Sequence, residues 1–480
     1  MPRRRIAVLL SVGLVVLASV AVVSWLATRA VPGGLNIVVL MIDTLRADHV
    51  GCYGYARPTT PSIDRFAGSA VTFANAYSVS SWTLPAVASL FTGLLPSRHG
   101  TRAEADLLPD SIPTLARLLH QRGYSTAAMS ANFFFARAPD NFPAPPLHLA
   151  QGFDIFESPR LLADANDGEA VVILNWRLRT VRADAVTNRL IELLHKQRHP
   201  FFLFGLYIDP HYGYEPPPAY ASLFEPAPIA SAYTGLLNDM PHLATLPAGT
   251  DLAHLINLYD GEVRYADEQV GRFLAALDAA GLADKTVVVI LSDHGEEFAD
   301  HGRMVHAQAL YEESVRIPLL IRAPTLPRGV RIVERVSLLD LMPTLLHLAG
   351  LDAPAGIDGR SLETTWDTQG RDSPPAPRQL LFELDNELTL LNGPRPHARG
   401  LSDGAWKILT APGGAAELYN LATDPGERHD LAAEQPAELA RMQHLLTAAL
   451  ARAPAPAPTR ELTDVEKERL RALGYGTQPQ

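Results

Sequence analysis

The chain has 480 residues, 47% hydrophobic and 19% charged, which excludes a disordered polymer and leaves room for one large domain plus a smaller one. Its formal charge of −11 argues against nucleic acid as a partner, and no basic block occurs beyond Arg3-Arg4-Arg5. Cys52 is the only cysteine, so an internal disulfide and a thiolate metal site are both excluded.

Arg3-Arg4-Arg5 precedes an unbroken apolar run from Ile6 to Ala27. As a helix this run spans roughly 33 Å, the thickness of a bilayer core. The basic residues keep its start in the cytoplasm and send the rest of the chain across. It reads as an N-terminal transmembrane helix that anchors the chain, with a cleaved signal as the alternative. Either way the remainder is expected to be extracytoplasmic, periplasmic or extracellular.

After a Pro-Gly-Gly linker at Pro32–Gly34, Asn36–Ile42 is a continuous apolar run suited to a strand covered on both faces, and it stops at Asp43-Thr44. Helices are expected over Ser62–Ala67 and Ile112–Gln121, with a strand between Tyr124 and Ala131. Between the helices, Ser80–Trp82 form a hydroxyl-bearing loop, and Thr83–Thr92 pass through Pro85 into a small-residue helix closed by Gly93. Pro in a first helical turn loses no hydrogen bond, and the free amides there favour an anion.

Residues 133–160 look like a long loop. Ala185–Lys196 reads as a helix with Asp184 as N-cap. Pro200–Ile208 is a strand ending at Asp209-Pro210-His211, followed by a Pro-rich excursion to about Ala248. Leu255–Ala280 keeps the 3–4 spacing of an amphipathic helix. Thr286–Leu291 is a buried strand ending at Ser292-Asp293-His294-Gly295, and Ile317–Arg322 is another. Beyond the polar stretch Asp372–Arg378, short strands at Leu380–Leu384 and Trp406–Leu409 suggest an antiparallel subdomain, then a helix over Ala433–Arg452. Ala453–Pro458 is a stiff spacer, and Thr463–Glu466 has the form of a capping box.

Strands alternating with helices indicate an α/β fold with a mostly parallel central sheet sandwiched by helices. Ligands in such sheets bind beyond the carboxyl ends of the strands. Three strands here end in Asp43, in Asp209 with His211, and in Asp293 with His294. Asp43, Asp293 and His294, with the hydroxyl of Thr83, make a four-ligand set for one divalent cation. His211 would protonate a leaving alkoxide or bond the anion. Plainer readings stand beside these: a strand-to-helix turn capped by Thr44, a simple turn at Asp293-His294-Gly295, and a surface-loop His211. Tyr207 and Tyr212 are read as wall residues, His301 and His306 as structural, Asp340 as a helix cap ahead of Pro343, His99 as packed beneath the helix Thr83–Thr92, and Cys52 as buried and inert.

These stretches, in this order, resemble the sulfatase family of the alkaline-phosphatase superfamily over roughly Leu35–Leu431. The likeness rests on Asn36–Asp43 with Arg46-Ala47-Asp48, on the helix that continues to Thr92-Gly93 and His99-Gly100, and on Asp209-Pro210-His211. Leu291–Glu296, Leu310–Glu313, Arg316–Pro318, Asp340–Gly350, Glu417–Leu421 and Asp424–Glu427 complete it. The resemblance implies a divalent cation, calcium or manganese, and hydrolysis or transfer of sulfuric or phosphoric esters on small-molecule, glycan or lipid-linked substrates.

The departures carry as much information. Thr83 stands at the position that sulfatases convert to formylglycine; threonine cannot become that aldehyde, so no formylglycine is expected. A Thr83 ester must be cleaved at its central atom, a route that suits phosphoryl groups better than sulfuryl groups. Val87 replaces the signature Arg, Thr44 replaces a second acidic ligand, and the family's Lys falls on Ala307, with His306 one place away as a weak substrate-binding substitute. The leading expectation is a metal-dependent ester hydrolase with Thr83 as nucleophile and His211 as acid. A lipid-linked phosphoryl-group transferase and a non-catalytic binding protein are the alternatives. The expected domains are 1–34 (anchor and linker), 35–375 (catalytic), 376–452 (C-terminal subdomain) and 453–480 (spacer and terminal helix).

Overall fold

The computed structural model describes residues 34–102, 106–132, 149–158, 181–224, 251–366, 378–385, 397–410 and 414–451. The expected anchor over Ile6–Ala27, most of the loop 133–160, the excursion beyond residue 224, the stretch 372–377, the Pro-rich spacer and the terminal capping box lie outside them. No helix among the described residues is long and apolar enough to cross a membrane.

The large sheet is built on β1 (Asn36–Ile42), whose seven residues are all buried. Ile37, Val39 and Met41 enter one apolar core, and Val38, Leu40 and Ile42 enter a second core on the opposite face. Period-2 alternation therefore places a hydrophobe on both faces, as a sheet covered by two helical layers requires. The remaining strands are β2 (Val71–Tyr77), β3 (Ser125–Ser130), β4 (Ile155–Glu157), β5 (Phe201–Tyr207) and β6 (Thr286–Leu291). A small hairpin of β7 (Glu297–Phe298) and β8 (Met304–Val305) comes next, then β9 (Arg316–Ile317), β10 (Leu319–Arg322) and β11 (Val330–Ser337). The spatial order is β11-β2-β10-β6-β1-β5-β3-β4, with β9 also on β2. β1 runs parallel to β5 and β6, and β3 runs parallel to β5, so these four strands end on one edge. The register Ile42↔Tyr207 and Met41↔Leu291 brings those ends level.

One face carries the helices α1 (Pro61–Ala67), α4 (Ala183–Lys196) and α5 (Leu252–Ala279); the other carries α2 (Thr83–Thr92), α3 (Leu115–Gln121) and α6 (Leu341–Leu348). The C-terminal antiparallel sheet is β12 (Gln379–Asp385), β13 (His397–Asp403), β14 (Trp406–Thr410) and β15 (Glu417–Asn420). Helix α7 (Pro436–Ala451) covers it with Met442 and Leu446, while β12 sends Leu380, Phe382 and Leu384 into the main core.

Several expectations need correction. Ile317–Arg322 is two strands, because Pro318 lacks an amide for the ladder and β10 crosses to pair antiparallel with β6. Asp184 is not an N-cap: α4 starts two residues earlier than expected, with Arg182 at the cap position, and Asp184 accepts from the Tyr265 hydroxyl at 2.7 Å. Tyr207 is no wall residue but sits within β5, fully buried, with its hydroxyl 3.0 Å from Thr187 Oγ1. Cys52 is half-buried, and burial pushes its thiol up to about 12, which leaves it inert. His99 does pack beneath α2, its Nε2 3.0 Å from Ser89 Oγ, and Asp340 closes a capping box with Ser337.

Candidate active site at the carboxyl ends of the parallel strands

Asp43 is the first residue past β1, and its amide donates to the Tyr207 carbonyl at 2.9 Å, extending the ladder by one rung. Thr44 then turns at φ 56°, a left-handed conformation rare for a β-branched residue. Three bonds hold it there. Its amide points at Asp293 Oδ1 (3.3 Å), its carbonyl accepts from the Tyr259 hydroxyl (2.8 Å), and the Leu45 amide donates to Ser292 Oγ (2.9 Å). Ser292 Oγ also lies 2.7 Å from the Ile42 carbonyl and 2.6 Å from that of His294. The two adjacent strand ends are thereby stapled together, and Thr44 acts as a turn residue and not as a helix cap.

Helix α2 delivers Thr83. Trp82 is its extended N-cap (φ −155°), so Thr83 is the first helical residue, and Gly93 ends the helix in the left-handed region (φ 66°). Thr83 Oγ1 stands 3.3 Å from His294 Nε2 and 3.5 Å from each oxygen of Asp43. His294 Nε2 is 3.6 Å from Asp43 Oδ1 and 3.5 Å from Asp293 Oδ2. Asp43, Asp293 and His294 each offer one ligand atom within 4.8 Å of the others, and all three are buried. Four of the predicted site residues are thus brought together.

The protonation pattern calls for a cation. His294 Nδ1 lies 2.8 Å from the Gly295 carbonyl, which can only accept, so Nδ1 carries the proton and Nε2 turns a lone pair towards the carboxylates. Asp293 Oδ2 is buried without a hydrogen-bond partner. Burial and then the nearby Asp293 hold the Asp43 carboxyl well above the usual range. Burial lowers His294, keeping it neutral. Adjacent ligands of an octahedral ion with bonds of about 2.1–2.4 Å stand about 3.0–3.4 Å apart, close to the spacings found here. The donor set fits a divalent ion.

His306 and His211 lie beside this cluster. The His306 ring centroid is 4.7 Å from His294 and 4.7 Å from His211, and the Tyr212 ring lies tilted 4.1 Å from His211. His306 Nδ1 bonds Glu296 Oε1 at 2.8 Å; burial lowers His306 to about 4 and raises Glu296 to about 8, so both favour their uncharged forms. His301, by contrast, is structural, stacked on Tyr311 at 3.7 Å and bonded to Glu313. Val87 is wholly buried in the core. Ala307 takes φ 62° and donates its amide to the Ser81 carbonyl, bracing the loop before Thr83. Among the described residues no Lys or Arg bonds Asp43, Thr83, Asp293, His294 or His306.

Asn132 was not anticipated. It lies just past β3, is fully buried, and donates to Asp43 Oδ2 at 2.8 Å, with Thr83 Oγ1 3.5 Å from the same nitrogen. To do so it reaches past β5, whose own Asp209 turns away and accepts the Ala183 amide at the start of α4 (2.9 Å). Asp209 thus shapes the strand end and takes no part in the ligand cluster. A fourth strand ending in a polar residue was the available signal, but an amide does not stand out among ionisable ends.

The sulfatase family profile matches residues 35–351, and a profile for the C-terminal region of N-sulphoglucosamine sulphohydrolase matches residues 300–454. An ulvan-active sulfatase of Formosa agariphila is 29% identical over 68% of this chain, which spans 64% of that relative's length. A Δ4,5-hexuronate-2-O-sulfatase of Bacteroides thetaiotaomicron is 24% identical over 83% of this chain and 84% of its own. Among solved structures, the phosphonate monoester hydrolase of Agrobacterium radiobacter shares the fold with a TM-score of 0.69 at 22% identity, covering 90% of this chain and 99% of that one. With the family profile covering well over half its length, the chain belongs to the sulfatase family.

Proposed function

We propose that the chain is a divalent-cation-dependent hydrolase of anionic sulfuric or phosphoric esters that uses Thr83 as its nucleophile. The observation that carries this reading is the position of Thr83 Oγ1, 3.3 Å from His294 Nε2 and 3.5 Å from both oxygens of Asp43, on the first turn of a buried helix. Asp43, Asp293, His294 and the Thr83 hydroxyl would hold the ion, and the imidazole donor favours manganese over calcium, whose ligands are oxygens. Such an ion, when bound, lowers the pKa of a hydroxyl and neutralises a non-bridging ester oxygen.

The residues supply the rest. Asp43 is the nearest carboxylate to the Thr83 proton, and Asn132 steadies that carboxylate. The free amides of the first turn of α2 favour an anionic group beside Thr83. Attack of Thr83 Oγ1 on the central sulfur or phosphorus breaks the bond to the alcohol, and His211, half-buried beside Tyr212, would protonate the departing alkoxide. Water then cleaves the Thr83 ester at the same central atom and restores the hydroxyl. Since threonine cannot become an aldehyde, the second step favours phosphorus esters over sulfate esters. The sulfated-sugar relatives support a glycan as the alcohol part, and the basic-then-apolar stretch Arg3–Ala27 supports an extracytoplasmic location.

The test is a panel of aryl sulfate, phosphate monoester, phosphodiester and phosphonate monoester with manganese or calcium. The reading predicts turnover that needs the ion and is lost in Thr83→Ala. Equal turnover by wild type and Thr83→Ala on every ester would end it.

A further inference from the structure

We propose that Lys407, Glu427 and Arg428, in the C-terminal part of the chain, are positioning residues for the loop that carries Asp293 and His294. This rests on the cation site proposed above. The loop 293–301 leans on two supports. At its start, the Gly295 amide donates to the Ser314 carbonyl at 2.8 Å, and Gly295 lies so close to the Glu313 carbonyl that a Cβ would stand 1.9 Å from that oxygen. At its end, His301 places Nδ1 2.7 Å from Glu313 Oε1 and Nε2 2.8 Å from the Glu427 carbonyl. A carboxylate on one nitrogen and a carbonyl on the other call for an N–H at both.

Asp300, between them, takes Arg46 from the β1 side (2.7 Å) and Arg428 from the C-terminal side (3.3 Å). Arg46 also donates to the Glu296 carbonyl at 3.1 Å. The support at 312–314 is in turn fixed by the C-terminal sheet. Lys407, on β14, is fully buried with its Nζ 3.1 Å from Glu312 Oε1 and 2.9 Å from Glu427 Oε1, and 5.3 Å from the Phe382 ring centre. Glu427 closes the ring by accepting the Glu312 amide at 2.6 Å, from a left-handed backbone (φ 51°) that side chains seldom adopt.

A buried ammonium between two carboxylates adds little stability over apolar packing of the same volume, but it specifies one arrangement, because removing any member strands a charge. Besides the Phe382 ring, Lys407, Glu427 and Arg428 reach Glu312, Asp300 and His301. The arrangement they specify is therefore that of the ligand-bearing loop.

The experiment uses the full chain and two variants, Lys407→Met and Arg428→Ala. The second is a surface change, since the Arg428 side chain is 59% exposed. Amide hydrogen exchange of residues 294–301 is compared with that of β1 and β5, and manganese affinity is measured by titration calorimetry. A positioning role predicts exchange in 294–301 at least about tenfold faster in Lys407→Met while β1 and β5 keep their protection. It also predicts manganese binding weakened about 10–100-fold, with smaller shifts in the same direction for Arg428→Ala. Should Lys407→Met fail to fold, Arg428→Ala alone decides. Unchanged exchange in 294–301 in a folded variant, or loosening spread evenly over β1 and β5, would overturn the proposal. If the wild type bound no manganese, the cation reading would fall, and the exchange data would still judge the clamp.

Discussion

Replacing Asn132 by Ala removes a single donor from Asp43, and the structure sets the size of the effect. Both residues are fully buried, and the bond from Asn132 Nδ2 to Asp43 Oδ2 is 2.8 Å, so no water stands ready to replace it. A hydrogen bond to a charged group contributes about 1.5–3 kcal/mol, and its loss leaves a carboxylate oxygen unsatisfied. At about 1.4 kcal/mol per tenfold, this corresponds to a loss of about 10–150-fold in whatever state needs Asp43 ionised. Cation binding is such a state. The variant also acquires a pH signature. Burial already holds the Asp43 carboxyl high, and the Asn132 bond works in the opposite direction. Without it the proton competes better, so cation affinity falls at a given pH and its rise with pH moves to higher values. The assay is titration calorimetry with manganese at several pH values, with the melting temperature as a control on folding. Equal affinity of wild type and Asn132→Ala at every pH would refute the assigned role.

Three further outcomes are expected. Thr83→Ser should keep turnover, because it retains a hydroxyl on the same helical turn, while Thr83→Ala should lose it with little change in melting temperature; steady-state kinetics decide. Gly295→Ala should destabilise by about 1–3 kcal/mol or more and weaken manganese binding, since its Cβ would stand 1.9 Å from a backbone oxygen that cannot swing aside. Asp267, which accepts the Ser62 and Ile63 amides at the start of α1, is raised by burial from 3.8 to about 6. The folded state therefore binds that proton more tightly than the unfolded chain, so this group's stabilising contribution is complete below about pH 4 and is lost as pH rises to about 6. Denaturant titrations should show this fall in the wild type, amounting to a few kcal/mol at most, and its absence in Asp267→Asn.

The parts legible in the sequence were those in which composition alone carries the signal. β1, β5 and β6 are apolar on both faces and end abruptly in Asp or His, so each strand and its functional end could be read together. β2 and β11 were missed for a physical reason. β11 is an edge strand that mixes Arg331, Glu334 and Arg335 with its hydrophobes, and β2 interleaves Thr72 and Asn75 with its own, so neither forms an apolar run. At the site, Asp43, Asp293 and His294 were legible because each lies at the end of a recognisable strand, and Thr83 through the family resemblance of the helix it opens. Asn132, Ser292 and Tyr259 were not, since their partners are 89, 250 and 215 residues away in sequence and nothing local marks them. Asp209 has comparable chemistry at the same edge, but it accepts the amide of a helix start 26 residues earlier.

In the proposed reaction Thr83 Oγ1 is the atom that takes the transferred group. Intact mass followed by peptide mapping, after manganese-loaded enzyme is quenched during turnover of a slow aryl phosphate or sulfate ester, tests it directly. One phosphoryl or sulfuryl group on Thr83, appearing and decaying at rates compatible with turnover, is the predicted result. Undiminished turnover with no adduct on Thr83, or an adduct on another residue, would contradict it.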